Sequence, residues 1–319
     1  MNKVFLLGSY GSGSAVLKRR LAERSDIELL EIPFSEDPFE KKVLSFVDES
    51  DLTFLCMNGP DSARFSDLVK EAGIRKKIIS TGVELRVRSD WTYGLPEYRC
   101  GAQRAEIAAS DRVVVPGCHA SGFILPAEPL LAAGIFPRDY PFAVHSVTGY
   151  SGGGKALIDA YQDRNRPDAF AGCCQYYLDQ DHFHLPEMQR FCALPYPPIL
   201  NPIVADYYAG MTVTTPVHTR LLPRKVTPEK VRDVLAEYYA DQPLIEVLPF
   251  EKSGPVVFFD STSMTGRDDC QLAVYGNDER FVLLARFDNL GKGAGGSSEQ
   301  LINIALGLPE ETHLSLVRK

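Results

Sequence analysis

The sequence predicts an α/β domain with a doubly wound parallel sheet that binds a dinucleotide, followed by an α+β domain with a largely antiparallel sheet. Two observations predict this: short apolar runs alternate with helical patterns up to residue 115, and longer strand-like segments follow. At 319 residues and 45% apolar composition, the chain can bury two medium-sized cores. We expect residues 1–117, completed by 289–319, to form the dinucleotide-binding domain, and 118–288 to form the catalytic and oligomerisation domain.

The first part of the chain alternates between predicted strands and helices. Residues 3–7 form an apolar run that ends at Gly8, and apolar residues then recur at helical spacing in the segment SAVLKRRLAER. Later strands are predicted in DIELLEI, DLTFLCM, KKIIS and DRVVV. Because these strands are apolar along almost their whole length, they favour a parallel sheet that is covered on both faces.

The second part of the chain contains longer predicted strands. These lie in FAVHSVTGY, GMTVTTPVH, GPVVFF and CQLAVYGNDERFVLLARF, and the Gly-Asn-Asp of the last segment predicts a hairpin. Thr227 before Pro228 is typical of a helix start, with a capping hydroxyl and a proline at the first helical position. We expect the amphipathic helix in SSEQLINIALGL to return to the first domain.

Charge and hydropathy exclude several partners. Asp and Glu total 42 against 34 Lys and Arg, and the basic residues are scattered, so we expect no nucleic acid as a partner. No apolar run is long enough for a membrane span, and glycines interrupt the first apolar run too early for a signal peptide, so we expect a cytoplasmic protein. The seven cysteines lack C-x-x-C spacing, and we predict neither disulfides nor a zinc site.

Three glycines follow the first predicted strand. Gly8, Gly11 and Gly13 lie where a strand turns into a helix, which is where backbone N–H groups can hold a pyrophosphate. Their spacing is not G-x-G-x-x-G, so a simple tight turn is an equal alternative. Glu31, at the end of the second strand, either binds a cofactor ribose or is a solvated charge.

Cys118 lies where the strand DRVVV gives way, through Pro-Gly, to a predicted helix. A helix N-terminus stabilises a thiolate by about 0.3–2 kcal/mol, which is too little for full activation at neutral pH. A histidine base is therefore expected nearby. His182 and His184, with Glu187, stand together in DHFHLPEM. Three interpretations are open. The two histidines and the carboxylate could bind a metal ion, although the sequence shows no further ligands for it. The histidines could instead be structural, or one of them could be a base for Cys118 that Glu187 orients.

Five motifs together carry a resemblance to a known family. They are VPGCHASGFIL, HSVTGYSGGGK, HFHLPEM, PPILNPIVADYYAGM and DNLGKGAGG, and they occur in the family's order from the first strand to the last helix. The chain resembles the short (type 2) form of N-acetyl-γ-glutamyl-phosphate reductase. The resemblance implies a homodimer or homotetramer that reduces a small-molecule acyl phosphate with NADPH, in arginine biosynthesis.

The resemblance also implies roles for individual residues. Cys118 would be the nucleophile that forms a thioester, His184 the acid/base, and Glu187 its support. The glycine loop on the cofactor pyrophosphate would comprise Gly8, Tyr10, Gly11, Ser12 and Gly13. Further cofactor contacts would come from Gly152, Gly153, Asn289 and Gly291. Arg86 would bind the substrate carboxylate; Lys155 would bind the departing phosphate, or it is a solvated lysine at a helix start.

The chain departs from the family pattern at positions that hold the cofactor and substrate. Val115 replaces an asparagine, Gly82 and Val83 replace a serine-threonine pair, and residues 33–36 lack the usual basic side chains. We therefore expect weak discrimination between NADPH and NADH, with NAD as the alternative coenzyme. Two other functions stay open: reduction of aminoadipyl or aspartyl phosphate, and nucleotide sensing without catalysis.

Overall fold

The structure is a computed structural model that describes residues 1–8, 12–32, 37, 39, 41–250 and 258–316. The chain forms two compact units. The first unit consists of residues 1–96, 102–116 and 294–314. The second unit consists of residues 97–101, 117–293 and the residues from 315 onwards.

The boundaries of these units lie close to the domain boundaries expected from the sequence, but differ in detail. The chain passes between units at 116/117 and 293/294, where we expected 117/118 and 288/289. Residues 97–101, which lie within the first predicted domain, pack in the second unit. Glu97 explains this placement, because it forms a buried ion pair with Lys292 of the second unit.

A parallel sheet forms the centre of the first unit. Its strands are β1 (Asn2–Leu7), β2 (Ile27–Glu31), β3 (Leu52–Leu55), β4 (Lys77–Ser80), β5 (Thr92–Tyr93) and β6 (Arg112–Val114). They lie in the order β2-β1-β3-β4-β6-β5, and every pair is parallel. The direction of strand addition reverses between β1 and β3, and ligands of doubly wound sheets bind at such a switch point.

Helices cover this sheet and complete its core. They are α1 (Ser12–Ala22), α2 (Val43–Glu49), α3 (Gly59–Glu71), α4 (Gln103–Ala109) and α9 (Gly296–Ala305). Leu301 and Ile302 of α9 are fully buried with Leu17 and Leu21 of α1 in one apolar cluster. The C-terminal helix α9 therefore packs in the first unit.

The sheet of the second unit is mixed. Its strands are β7 (Ala143–Gly149), β8 (Cys174–Gln175), β9 (Ile199–Ala205), β10 (Met211–His218), β11 (Ile245–Val247), β12 (Cys270–Asn277) and β13 (Arg280–Phe287), in the order β11-β12-β13-β10-β7-β9-β8. Four pairs are antiparallel, while β11–β12 and β7–β9 are parallel. The β7–β9 pair is parallel because a long helical connection joins the two strands.

The helices of the second unit are α5 (Cys118–Ala132), α6 (Gly154–Gln162), α7 (Leu185–Phe191) and α8 (Pro228–Tyr238). The capping prediction at α8 is confirmed, because the Thr227 hydroxyl accepts a hydrogen bond from the N–H of Lys230. The predicted hairpin joins β12 to β13, where Asn277 accepts from the N–H groups of residues 279 and 280.

The predicted fold class is confirmed, and one predicted strand lies largely outside the described residues. In GPVVFF, residues 254–257 lie outside the described residues, and Phe258 and Phe259 are not in a strand. Within the part of the chain that the structure describes, no helix is both long and apolar enough to cross a membrane.

Candidate active site

Cys118 is the first residue of α5, and Gly117 is the N-cap of that helix. The chain reaches this point from β6 through Val115 and Pro116, so the thiol lies at the end of a parallel strand and the start of a helix. The side chain is partly buried. Its position at a helix N-terminus matches the prediction, and the N–H groups of the first turn favour a negatively charged sulfur there.

His184 lies close to Cys118, although 65 residues separate them in the sequence. The Sγ atom of Cys118 and ring nitrogens of His119 and His184 all lie within 4.8 Å of one another. His184 directly precedes α7 and is buried. The fold therefore brings together the predicted nucleophile and the predicted acid/base.

Gly117 allows this approach because it has no side chain. A β-carbon on Gly117 would lie 2.3 Å from Nε2 of His184, well inside van der Waals contact. Its φ of −79° is open to any residue, so the requirement for glycine comes from the imidazole and not from the backbone conformation.

Glu187 contacts the same turn. Its Oε2 accepts a hydrogen bond of 2.9 Å from the backbone N–H of Gly117, and the carboxylate is buried. The first turn of α7 thus holds the N-cap of α5 in place. The support of His184 by Glu187 that the family resemblance implies stays a prediction.

His182 and His184 have different roles in this segment. Nδ1 of His182 accepts a hydrogen bond of 3.1 Å from the backbone N–H of His184, so His182 fixes the residue that precedes α7. The two rings are 4.7 Å apart at their centroids and meet edge to face. His182 is buried and serves the local backbone.

His119 was not among the site residues predicted from the sequence. Its Nδ1 lies 2.6 Å from Oγ of Ser146 and its Nε2 lies 2.9 Å from the hydroxyl of Tyr176. Burial, with a smaller effect of His182, lowers the pKa of His119 to about 3, so the ring is neutral. A signal was available in the sequence: His119 is a polar residue in the first turn of a predicted helix whose following residues are mostly apolar.

The three side chains of Cys118, His119 and His184 are spaced so that they could also surround a metal ion. Both ring nitrogens of His119 already make hydrogen bonds, to Ser146 and Tyr176. A metal ion would have to break one of these bonds. The arrangement therefore favours a hydrogen-bonded catalytic cluster over a metal site.

Asn289 connects two segments near the predicted nicotinamide loop. Its amide nitrogen donates to the Ser151 hydroxyl at 2.9 Å, and its amide oxygen accepts from the N–H of Gly210 at 2.8 Å. Gly152 lies beside this amide, since a β-carbon there would be 3.4 Å from Nδ2 of Asn289. Asn289 thus holds the turn that contains Gly152 and Gly153, and direct cofactor contacts by these residues stay predictions.

The segment Gly291–Gly295 forms a π-helical turn beside Cys118. A β-carbon on Gly293 would lie 3.1 Å from the β-carbon of Cys118, and one on Gly291 would lie 1.9 Å from the carbonyl oxygen of Arg267. Lys292 between them donates to Glu97 at 2.6 Å, and both side chains are almost fully buried. Close packing thus requires glycine at position 291 and leaves little room for a β-carbon at position 293.

The glycine loop after β1 is described only in part. Gly8 has a φ of +76°, and a β-carbon there would meet the carbonyl oxygen of Cys56 at 2.8 Å. Tyr10 and Gly11 lie outside the described residues. Ser12 and Gly13 are described only through their backbone, which begins α1. The first turn of α1 contains no acidic residue, which leaves its N-terminus suited to an anion.

Arg86 and Lys155, the predicted substrate-binding residues, have different surroundings. Nε of Arg86 donates to the carbonyl oxygen of Val115 at 3.0 Å, and the side chain is buried in the first unit. Lys155 is 76% exposed and pairs with Asp159 one turn along α6 at 2.8 Å. An exposed pair of this kind also fits the alternative of a solvated lysine. Glu31 pairs with Lys18.

The chain is similar in sequence and in fold to known proteins. The family model "Semialdehyde dehydrogenase, dimerisation domain" matches residues 118–289. N-acetyl-gamma-glutamyl-phosphate reductases from Brucella ovis and Brucella canis are each 37% identical over 308 residues, which is 96% of this chain and 99% of theirs.

Solved structures show the same fold at lower sequence identity. Aspartate semialdehyde dehydrogenase II from Vibrio cholerae superposes with a TM-score of 0.71 at 19% identity, over 96% of this chain and 98% of that one. The enzyme from Francisella tularensis gives 0.68 at 15% identity, over 95% and 99%. At such low sequence identity, the structural similarity to these proteins establishes the fold alone. From the relatives that it matches over nearly its whole length, the chain belongs to the N-acetyl-gamma-glutamyl-phosphate reductase family.

Proposed function

We propose that the protein reduces N-acetyl-γ-glutamyl phosphate to N-acetylglutamate semialdehyde and inorganic phosphate, with NADPH as the reductant, in arginine biosynthesis. The observation that carries the proposal is the proximity of the Cys118 sulfur and a His184 ring nitrogen, within 4.8 Å at the N-terminus of a helix. The names of relatives at 37% identity point to the same substrate.

Cys118 is the nucleophile in this proposal. Its thiolate attacks the acyl carbon, the bond from that carbon to the phosphate oxygen breaks, and phosphate leaves with the bonding electron pair. A thioester on Cys118 results. A reduced nicotinamide supplies a hydride when bound. With that hydride the thioester carbon would become a thiohemiacetal on Cys118, and cleavage of its carbon–sulfur bond would release the aldehyde and restore the thiolate.

His184 handles the protons. In the first half of the reaction its ring accepts the proton of the Cys118 thiol. In the second half it gives a proton to the oxyanion of the thiohemiacetal and takes it back as the carbonyl forms. A positioned acid/base of this kind contributes about 10²–10⁴ in rate, so His184→Ala should reduce turnover by that factor without abolishing it.

The surrounding backbone supports this chemistry. The N–H groups of the first turn of α5 provide partial positive charge beside the sulfur, and Glu187 holds the N-cap residue Gly117 through a buried hydrogen bond. Gly293 packs on the β-carbon of Cys118 and limits where the side chain can move. The nucleophile is therefore held by contacts on both sides of the helix start.

The residues that would hold the coenzyme fit an anionic dinucleotide. Gly8 provides a left-handed turn at the end of β1, and α1 follows with no acidic residue in its first turn. The pyrophosphate would bind at this turn. Gly152, Gly153, Asn289 and Gly291 are proposed as further contacts. NADPH is proposed as the preferred coenzyme, with weak discrimination against NADH.

Two further features belong to this proposal. Arg86 would bind the substrate carboxylate and Lys155 the departing phosphate, since a guanidinium suits a carboxylate and an ammonium suits a phosphate. The protein would act as a homo-oligomer assembled through the sheet of the second unit, within the segment 118–289 that matches a dimerisation domain. The cytoplasmic location expected from the sequence stays a prediction.

The test is an assay in the phosphate-dependent reverse direction, with N-acetylglutamate semialdehyde and each oxidised coenzyme. Wild-type protein should produce NADPH and NADH at comparable rates, and Cys118→Ser should be inactive. Cys173→Ser is the matched control, because Cys173 is an exposed cysteine of the same unit. A preference for NADP of several orders of magnitude would contradict the coenzyme part of the proposal alone.

The same assay distinguishes the alternatives. Faster turnover of aspartate or aminoadipate semialdehyde would assign the enzyme to another acyl phosphate. A protein without activity on any of these, whose Cys118 does not react with one equivalent of an alkylating agent, would be a nucleotide sensor and not a reductase.

A further inference from the structure

A chain of three hydrogen-bonding side chains runs beside the nucleophile. Ser146 on β7, His119 on α5 and Tyr176 are linked by contacts of 2.6 Å at Nδ1 of the imidazole and 2.9 Å at Nε2. His119 directly follows Cys118 in the chain, and one of its ring nitrogens lies within 4.8 Å of the Cys118 sulfur. The mechanism above uses none of these three side chains.

His119 must donate one hydrogen bond and accept the other. The imidazole is buried and its pKa is far below its usual range, so the ring is neutral at physiological pH and carries a single N–H. Two tautomers are therefore possible. The first has its hydrogen on Nδ1 and donates to Ser146; the second has its hydrogen on Nε2 and donates to Tyr176.

Ser146 decides between the tautomers. Its side chain is fully buried, and among the described residues its hydroxyl contacts only His119 as a hydrogen-bond partner. If Nδ1 carried the hydrogen, the hydroxyl hydrogen of Ser146 would be left without an acceptor in the protein interior. That cost is avoided if Ser146 donates to Nδ1. The hydrogen of His119 then lies on Nε2, and His119 donates to the oxygen of Tyr176.

Tyr176 can accommodate this direction because it is not fully buried. With its oxygen accepting from His119, its own hydroxyl hydrogen is free to bond a different acceptor. Burial and the charge of Cys118 raise the pKa of Tyr176, so the hydroxyl stays protonated and remains a donor. The chain of hydrogen bonds from Ser146 through His119 thus ends in the neutral O–H group of Tyr176, near the Cys118 sulfur.

We propose that Ser146 and His119 are positioning residues that direct the hydroxyl hydrogen of Tyr176 to an oxygen of the acyl group bound at Cys118. This inference rests on the proposed function for its substrate. Its direction rests on the hydrogen bonds of His119 and on the burial of His119 and Ser146. A donor placed there stabilises the negative charge that develops on the acyl oxygen during attack and hydride transfer.

The first experiment determines which ring nitrogen of His119 carries the hydrogen, and it does not depend on catalytic activity. Protein labelled with ¹⁵N at histidine is examined by long-range ¹H–¹⁵N correlation, and the His119 signals are assigned by their loss in His119→Gln. A protonated Nε2 and an unprotonated Nδ1 are expected in the wild type, with a mixture of tautomers in Ser146→Ala. A protonated Nδ1 in the wild type would overturn the inference, whatever the protein's activity.

The second experiment is a double-mutant cycle on kcat. Tyr176→Phe removes the donor and should lower kcat by about 10²-fold. Ser146→Ala should lower it by roughly 3- to 10-fold, and it should add nothing in the Tyr176→Phe background, because it acts through Tyr176. An equal loss in both backgrounds would show that Ser146 has only a structural role.

A matched control is available in the same sheet. Thr215 on β10 is also fully buried, and within the described residues its hydroxyl has no hydrogen-bond partner. Thr215→Val removes a buried hydroxyl without touching the chain of hydrogen bonds from Ser146 through His119, and it should leave kcat and the His119 tautomer unchanged. Absence of activity in the wild type itself would refute the proposed function. The tautomer experiment would still show whether His119 donates its hydrogen bond to Tyr176.

Discussion

The imidazole of His184 lies against the α-carbon of Gly117, one residue before Cys118, the proposed nucleophile. A β-carbon at that position would be 2.3 Å from Nε2 and within 2.6 Å of two ring carbons. No hydrogen bond is needed to explain the glycine of the Pro-Gly-Cys segment. It is required because the ring occupies the space that any side chain would take.

Gly117→Ala should therefore displace His184 from Cys118. We expect kcat to fall by about 10²-fold or more, since a displacement of about 1 Å at a reacting group has effects of that size. The fold should persist, because the backbone conformation of Gly117 suits alanine. Gly172→Ala is the control: the added carbon would make only an ordinary contact of 3.7 Å. Unchanged kcat in Gly117→Ala would contradict the placement of the ring.

Glu187 should matter through the hydrogen bond that it accepts from Gly117. Glu187→Ala leaves a buried N–H without its acceptor and should lower the free energy of unfolding by about 1–3 kcal/mol. Glu187→Gln keeps an acceptor oxygen and should cost less than about 1.5 kcal/mol. Urea unfolding of the two variants, at one protein concentration, measures both values. Equal losses in the two variants would mean that the hydrogen bond is not the source of the effect.

The strands, the helix starts and the position of Cys118 at a helix start could be predicted because each depends on local sequence. Apolar runs defined the parallel strands, Thr227 and Pro228 defined the start of α8, and Pro-Gly before Cys118 defined the start of α5. The parallel pairing of β7 with β9 could not be predicted in this way, since it depends on how the intervening connection packs.

The partners of individual side chains were harder to predict for the same reason. The family resemblance predicted that His184 acts together with Cys118. Nothing in the sequence predicted that Glu187 accepts a hydrogen bond from the backbone N–H of Gly117. Nor did it indicate that His119 joins β7 to Tyr176. These contacts connect segments that are distant in the chain, and only the tertiary fold determines them.

One face of the second sheet is a proposed contact between subunits. On β7 and β9, Val144 and Leu200 are buried while His145 and Ile199 are exposed. Further along the same two strands, the half-buried Val147 pairs with the half-buried Ile203. Such a partly exposed apolar face in a segment that matches a dimerisation domain suits a partner subunit.

Ile203→Asp should separate the subunits, because a symmetric interface would bury two added carboxylates. Sedimentation velocity should show monomers, with dissociation constants raised by at least about 100-fold. Leu221→Asp, at a partly exposed leucine in the turn after β10, should leave the assembly unchanged. An oligomer that survives Ile203→Asp at low concentration would place the interface elsewhere.

The neutral, buried His119 should make the fold sensitive to acid. Its pKa is about 3 in the folded protein and about 6.5 in an unfolded chain. Above pH 6.5 the ring is neutral in both states and contributes no pH dependence. As the pH falls from about 6.5 towards 3, the unfolded chain binds a proton that the folded protein does not, so stability declines by up to about 1.4 kcal/mol per pH unit.

His119→Gln removes this proton uptake while leaving other titrating groups in place. The free energy of unfolding should therefore fall less steeply with pH in the variant, with a difference of about 2–3 kcal/mol accumulated between pH 6.5 and 4.5. The variant will be less stable at neutral pH because it loses the bonds to Ser146 and Tyr176, so the slopes and not the absolute values are compared. Urea unfolding at fixed protein concentration and several pH values gives both slopes, and parallel slopes would mean that His119 is protonated in the folded state after all.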